Sequence, residues 1–114
     1  MDNKKDNQYY IDKIITDLEF VIAHTQGKTQ KDIEADDLLI DSIMFRVIQR
    51  AENSMKLNEE FQKQNSHIPW RAIRGMRNII VHNYGAVDLE VVYDTVTNGI
   101  PTLYKLLKNY KGGN

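Results

Sequence analysis

The stretch Trp70-Arg71-Ala72-Ile73-Arg74-Gly75-Met76-Arg77-Asn78-Ile79-Ile80-Val81-His82-Asn83-Tyr84 decides how the chain is read. On a helix turning ~100° per residue, Ile73, Met76 and Ile80 share the side that faces a core. Arg71, Arg74, Asn78 and His82 fall opposite, in a polar band roughly 80° wide, and Trp70, Arg77 and Val81 form a third stripe between the two. Pro69 suits the first turn of this helix, where its missing N–H costs nothing. Tyr84-Gly85 is the expected end, because glycine accepts the left-handed conformation common at helix C-termini.

The same periodicity continues outward in both directions. Upstream, Ile40, Ile43, Met44, Val47, Ile48, Ala51 and Met55 put one face on a helix from about Asp37 to Leu57, whose start Asp36, Asp37 and Asp41 favour electrostatically. Ile11, Ile14, Ile15, Leu18, Val21 and Ile22 do the same for Tyr9 to His24, with Asp6 or Asn7 as cap and Gly27 as stop. Lys28 to Asp37 is polar with room for a short helical turn, and Asn58 to Ser66, rich in Glu, Gln, Lys and Asn, reads as a solvated connection with room for one helical turn. Downstream, Leu89, Val92, Val96, Ile100, Leu103 and Leu107 line a helix from Val87-Asp88 to about Asn109, which Pro101 is expected to kink. Lys111 to Asn114 reads as a frayed tail. Four helices with short links and no strand alternation predict an all-α antiparallel four-helix bundle, a single domain over residues 1–114.

Composition narrows the function. With 15 Lys+Arg against 16 Asp+Glu, the net charge of -1 supplies no global field for nucleic acid, so any RNA or DNA binding must be local. The absence of cysteine removes disulfides, thiolate catalysis and cysteine-ligated metals. Met1 to Asn7 lead into no long apolar run, so neither a signal peptide nor a membrane span is expected, and the reading is cytoplasmic. A phosphate-binding loop at Gly27-Lys28-Thr29 would need a glycine where Ile22 stands. A bundle metal site would need Glu three residues before a histidine, but Val21, Gln64 and Ile79 precede His24, His67 and His82. No metal and no cofactor are expected.

Arginine with histidine is a minimal set for cutting RNA without a metal. Guanidinium binds phosphate oxygens and stabilises the charge that grows on them, while imidazole titrates near neutral pH and can take or give the proton. Spacing alone leaves the question open, since an Arg and a His near a helix end also serve as a surface cation and a cap. Arg77 and His82 lie about 140° apart on an ideal helix. Either the last turn unwinds before His82, or a second copy of the chain completes the site across a two-fold axis. Arg46 and Arg50 read as surface charges or as an extension of an RNA-binding rim, Glu52 as a partner that orients an arginine of this helix or as a solvated charge, and Trp70 as an anchor for a dimer contact. The other tyrosines read as packing residues.

The segments Ile68-Pro69-Trp70-Arg71, Gly75-Met76-Arg77-Asn78 and Val81-His82-Asn83-Tyr84 resemble the signature region of HepT-like proteins of the HEPN superfamily. The family motif is an Arg followed by a polar residue, then a His four to six residues on, often with a Tyr two beyond; Arg77, Asn78, His82 and Tyr84 occupy those places. Ala51-Glu52-Asn53 resembles the small-Glu-small segment of the second helix, and Val87-Asp88-Leu89 the entry to the fourth. Asn83 departs from the pattern, standing where the family commonly has aspartate. The resemblance implies a HEPN four-helix bundle that homodimerises so that two Arg/His motifs line one cleft, acting as a metal-independent RNA endonuclease toxin. It implies Arg77 and His82 as catalytic residues, Asn78 and Arg74 as substrate-positioning residues, and a MntA-like minimal nucleotidyltransferase antitoxin that adds AMP to Tyr84. The alternative expectation is a non-catalytic HEPN module that binds a nucleotide or RNA beside a nucleotidyltransferase partner.

Overall fold

A computed structural model describes residues 6–110, whose regular elements are all helical. Helix α1, Asn7–Thr25, starts where the Asp6 carboxylate accepts a hydrogen bond from the Tyr9 N–H (3.0 Å). It ends at Thr25 with Gln26 as cap, and Gly27 follows with a φ of +78°, the left-handed turn that glycine takes without strain. Helix α2, Gln30–Glu34, occupies the polar stretch that follows, opened by a reciprocal cap between Thr29 and Asp32. Helix α3, Asp37–Ser54, is capped by Asp36, which accepts from the Leu39 N–H (3.0 Å).

Two expectations between α3 and the next long helix need correction. Helix α3 ends at Ser54, so Met55 is its exposed cap and not part of the inner face. The segment read as a solvated connection with at most one helical turn holds the short helix α4, Glu59–Gln64, and buries Phe61 almost completely, with Leu57 and Ile68 buried at its two flanks. Full burial of such a side chain stabilises by about 1.5–3 kcal/mol, and a single apolar residue among polar ones leaves no stripe to read. Trp70 closes the segment from the other end: its indole N–H donates to the carbonyls of Gln62 and Asn65 (both 3.2 Å), and its ring meets Phe61 at 6.2 Å. Its indole N–H is thus engaged within its own chain while its ring stays half-buried.

Helix α5, Trp70–His82, is preceded by Pro69 and keeps α-helical geometry through His82. The expected end at Tyr84-Gly85 is therefore two residues late. Asn83 closes the helix, its N–H donating to the Ile79 carbonyl (2.8 Å), and Tyr84–Ala86 form a separate 3-10 turn. Ile73 and Ile80 are buried and Met76 half-buried, as the wheel requires. The helix leans on α3, meets the Thr95 hydroxyl through Met76 Sδ (3.4 Å), and leaves Arg71, Arg74, Asn78 and His82 exposed.

The fourth long helix is built from α6, Leu89–Asp94, a π turn over Thr95–Gly99, and α7, Ile100–Lys108. The interruption expected at Pro101 is this π turn, in which the Ile100 N–H reaches back five residues to the Thr95 carbonyl. The sequence explains it twice over. Proline has no N–H for an α-helical bond, and the steps from Val92 to Val96 to Ile100 are both four residues, each drifting ~40° around an ideal helix. One wider turn absorbs that drift and keeps all three side chains buried. Helix α1 packs between α3 and α7, and the buried side chains of all these elements form one cluster from Ile11 to Leu107. The structure is an all-α HEPN-like bundle. Among the described residues no helix is long and apolar enough to cross a membrane. The tail Lys111 to Asn114 lies outside the described residues.

Candidate active site

Helix α3 supplies the fixed side of the site and α5 the exposed side. Arg77 is the joint between them: its Nε and Nη2 both reach Glu52 Oε2, at 2.9 and 2.8 Å, and its Nη1 donates to Asn78 Oδ1 at 2.9 Å. The expected orienting role of Glu52 thus falls on Arg77. With side-chain exposures of 26% and 36%, the ion pair contributes little to stability, and its effect is to fix the plane of the guanidinium. One N–H on each terminal nitrogen remains for a phosphate oxygen.

His82 ends α5 exposed to solvent, and among the described residues its imidazole has no hydrogen-bond or ionic partner. Arg71 and Arg74 are likewise exposed and unpaired, and with Asn78 they form the polar band along the outer face. The structure thus groups Arg77 with Asn78 and Glu52, and aligns Arg74, Asn78 and His82 along one face. It does not bring Arg77 and His82 together. Because the helix stays regular through His82, the two side chains leave it about 140° apart. The first of the two ways to make them converge, unwinding of the last turn, does not occur.

Beside His82 the surface is apolar: Ile79 is 55% exposed and Val81 46%. The Tyr84 ring follows, 46% exposed, with its hydroxyl donating a hydrogen bond to Asp41 of α3. Partial desolvation, the bond to Asp41 and the charges of Asp41 and Asp37 push the phenol up to about 12. Asp41, expected to favour the helix start, is thus the partner of Tyr84. No local signal pointed to a contact between residues 43 positions apart.

The two arginines of α3 are not a rim for RNA. Arg46 bonds Asp17 (2.9 Å) and lies 4.0 Å over the Phe20 ring. Burial raises the pKa of the Asp17 carboxyl, and the Arg46 bond and charge oppose that shift. Arg50 is buried at 4% exposure, its Nη2 against Met76 Sδ (4.0 Å) and its Nε without a partner. Both readings of Arg50, as a surface charge and as part of a rim, are therefore corrected: its helical spacing matches that of Arg46, but the packing of α5 across it removes it from solvent. Among the described residues no three His, Cys, Asp or Glu side chains converge as metal ligands would.

Comparison with known proteins bears on this geometry. A family model described as "Ribonuclease HepT-like" matches residues 14–110. The chain is 31% identical over 100 residues to a Methanocaldococcus jannaschii protein named "Gamma-glutamylcyclotransferase and putative RNase", covering 88% of this chain but 45% of that relative, less than half its length. It is 29% identical over 99 residues to a "Putative RNase" of Caldanaerobacter subterraneus, covering 87% and 88% of the two chains. To the "Probable ribonuclease HepT" of Thermococcus cleftensis it is 30% identical over 105 residues, covering 88% and 91%. No solved structure matches the chain significantly. The matched residues span α3, α5 and the whole Arg77-to-Tyr84 segment, and the chain belongs to the HepT-like ribonuclease family of the HEPN superfamily.

Proposed function

We propose that this chain is the toxin half of a two-component system: a single helical domain that pairs with its own copy and cuts RNA without a metal through Arg77 and His82. A MntA-like minimal nucleotidyltransferase antitoxin silences it by adding AMP to Tyr84. The observation that carries the reading is the regularity of α5, which holds Arg77 and His82 on different sides of one helix while leaving both reachable. Across a two-fold axis, Arg77 of one copy meets His82 of the other, and the exposed Ile79 and Val81 supply apolar surface for the contact. The ribose 2′-hydroxyl attacks the adjacent phosphorus, the bond to the 5′-oxygen breaks, and a cyclic phosphate remains. Arg77 holds the phosphate oxygens, His82 moves the proton, and Asn78 and Arg74 position the strand. A nucleotide on Tyr84, two residues beyond His82, adds bulk and negative charge where RNA phosphate must enter.

A second reading, a HEPN module that binds RNA or nucleotide without cutting it, draws on the ion pair of Arg77 with Glu52 and on the absence, among the described residues, of a group fixing the His82 tautomer. RNA cleavage in EDTA separates the two. Arg77→Ala and His82→Ala are each expected to be inactive. Mixed, they are expected to regain roughly a quarter of wild-type activity, because half of randomly assorted dimers are mixed and each of those holds one complete site of two. No cleavage by unmodified wild type, or full cleavage by His82→Ala, removes the enzyme reading, and tight binding without turnover selects the second. No recovery in the mixture removes the shared site.

A further inference from the structure

The hydroxyl that the reading above makes a nucleotide acceptor is already bonded to a carboxylate. Tyr84 leaves the end of α5, crosses to α3 and donates its phenolic proton to Asp41. Asp41 is itself exposed, so an incoming reagent can approach the bonded pair. Beside the pair opens a cleft of about 350 Å³, with Ile40, Met44, Val87 and Leu89 as its apolar floor and Asp37 and Asp41 at its edge.

We propose that Asp41 is the general base for nucleotidyl transfer to Tyr84, an inference that rests on the reading of Tyr84 as the acceptor. The phenolic oxygen attacks the α-phosphorus of a nucleoside triphosphate. The Tyr84 O–P bond forms, the bond from the α-phosphorus to the bridging oxygen of the β-phosphate breaks, pyrophosphate leaves, and the Tyr84 proton passes to the Asp41 carboxylate. The environment makes such a base necessary. Burial and the two carboxylates hold the phenol near 12, so almost no phenolate exists at neutral pH, and a nucleophile this weak is activated by an adjacent proton acceptor. The same two carboxylates repel a free triphosphate, which fits delivery by a nucleotidyltransferase that screens its charge.

The bond also ties the 3-10 turn to α3, and a purely structural role has to be told apart from a chemical one. Asp41→Asn does so, because the amide oxygen still accepts the phenolic hydrogen bond but cannot take up the proton. Asp41→Glu restores the base. The chain is incubated with a minimal nucleotidyltransferase and ATP, the rate of mass gain in AMP units is followed, and the label is mapped. Wild type is expected to gain AMP on Tyr84, Asp41→Asn to gain it there about a hundredfold more slowly or worse, and Asp41→Glu to recover most of the rate. Asp41→Asn modified at the wild-type rate overturns the role of Asp41 and leaves Tyr84 standing as acceptor. Asp41→Asn and Asp41→Glu equally slow make the contact structural and also overturn it. No label on wild type, or label retained by Tyr84→Phe, overturns the acceptor reading and this inference with it.

Discussion

Replacing Glu52 by alanine separates the stability of Arg77's surroundings from the aim of its guanidinium. Glu52 Oε2 receives two contacts from Arg77, at 2.9 and 2.8 Å, in a pair whose side chains are 26% and 36% exposed. At that exposure the pair is worth no more than about 1 kcal/mol to folding, so the melting temperature should fall by only a few degrees. Orientation costs more. A free arginine side chain carries about 2 kcal/mol of rotamer entropy, much of which Glu52 has already removed before RNA arrives. Without Glu52, about 1–2 kcal/mol of ordering has to be met on the way to the transition state, an expected loss of about 5–30-fold in kcat/KM. Removing the carboxylate also unmasks a cation, so KM should fall at low salt while kcat falls further. Steady-state cleavage of a fluorogenic RNA at two salt concentrations, beside thermal melts, reads all three quantities. A kcat/KM within twofold of wild type, with the fold intact, would refute the idea that Glu52 aims Arg77.

Arg50→Met is expected to raise the unfolding free energy by about 1 kcal/mol or more in a denaturant titration, because Arg50 is buried without a carboxylate and burial lowers its pKa to about 10. A loss of stability would mean that the guanidinium holds the α3–α5 contact more firmly than its desolvation weakens it. Tyr84 makes a pH prediction. Its folded-state pKa is raised from 10 to about 12, so its contribution to stability is complete below pH 10 and lost as pH rises towards 12. Tyr104 is raised as well, through its hydrogen bond to Glu19, so phenolate absorbance should contain a late-titrating component of which Tyr84→Phe removes one tyrosine and Asp41→Asn brings that one down; an unchanged titration in Tyr84→Phe would reassign the shift.

The long helices were legible because each buries a stripe repeated at three and four residues over several turns, a pattern local in sequence. The short α4 was not. Phe61 stands among the Glu, Gln and Lys that made the stretch look solvated, and the rings it packs on, Trp70 and Tyr110, lie outside the segment. Arg50 was misread for a related reason: a wheel places a side chain on a face but does not say what packs across it, and here that is Met76 of α5. At Pro101 the sequence announced an irregularity, and packing chose its form, a π turn that realigns Val96 and Ile100 with the core.

For the candidate site, the sequence by itself supplied the candidates: Arg77, Asn78, His82 and Tyr84 lie within eight residues, their spacing alone left their role open, and the resemblance to HepT-like proteins singled them out. Only the tertiary structure decided their partners. Glu52 and Asp41 reach Arg77 and Tyr84 because α3 lies against α5 and the turn after it, closing separations of 25 and 43 residues. Such contacts depend on how two helices are rotated and displaced relative to each other, a result of packing the whole core, and no local pattern in either helix encodes it.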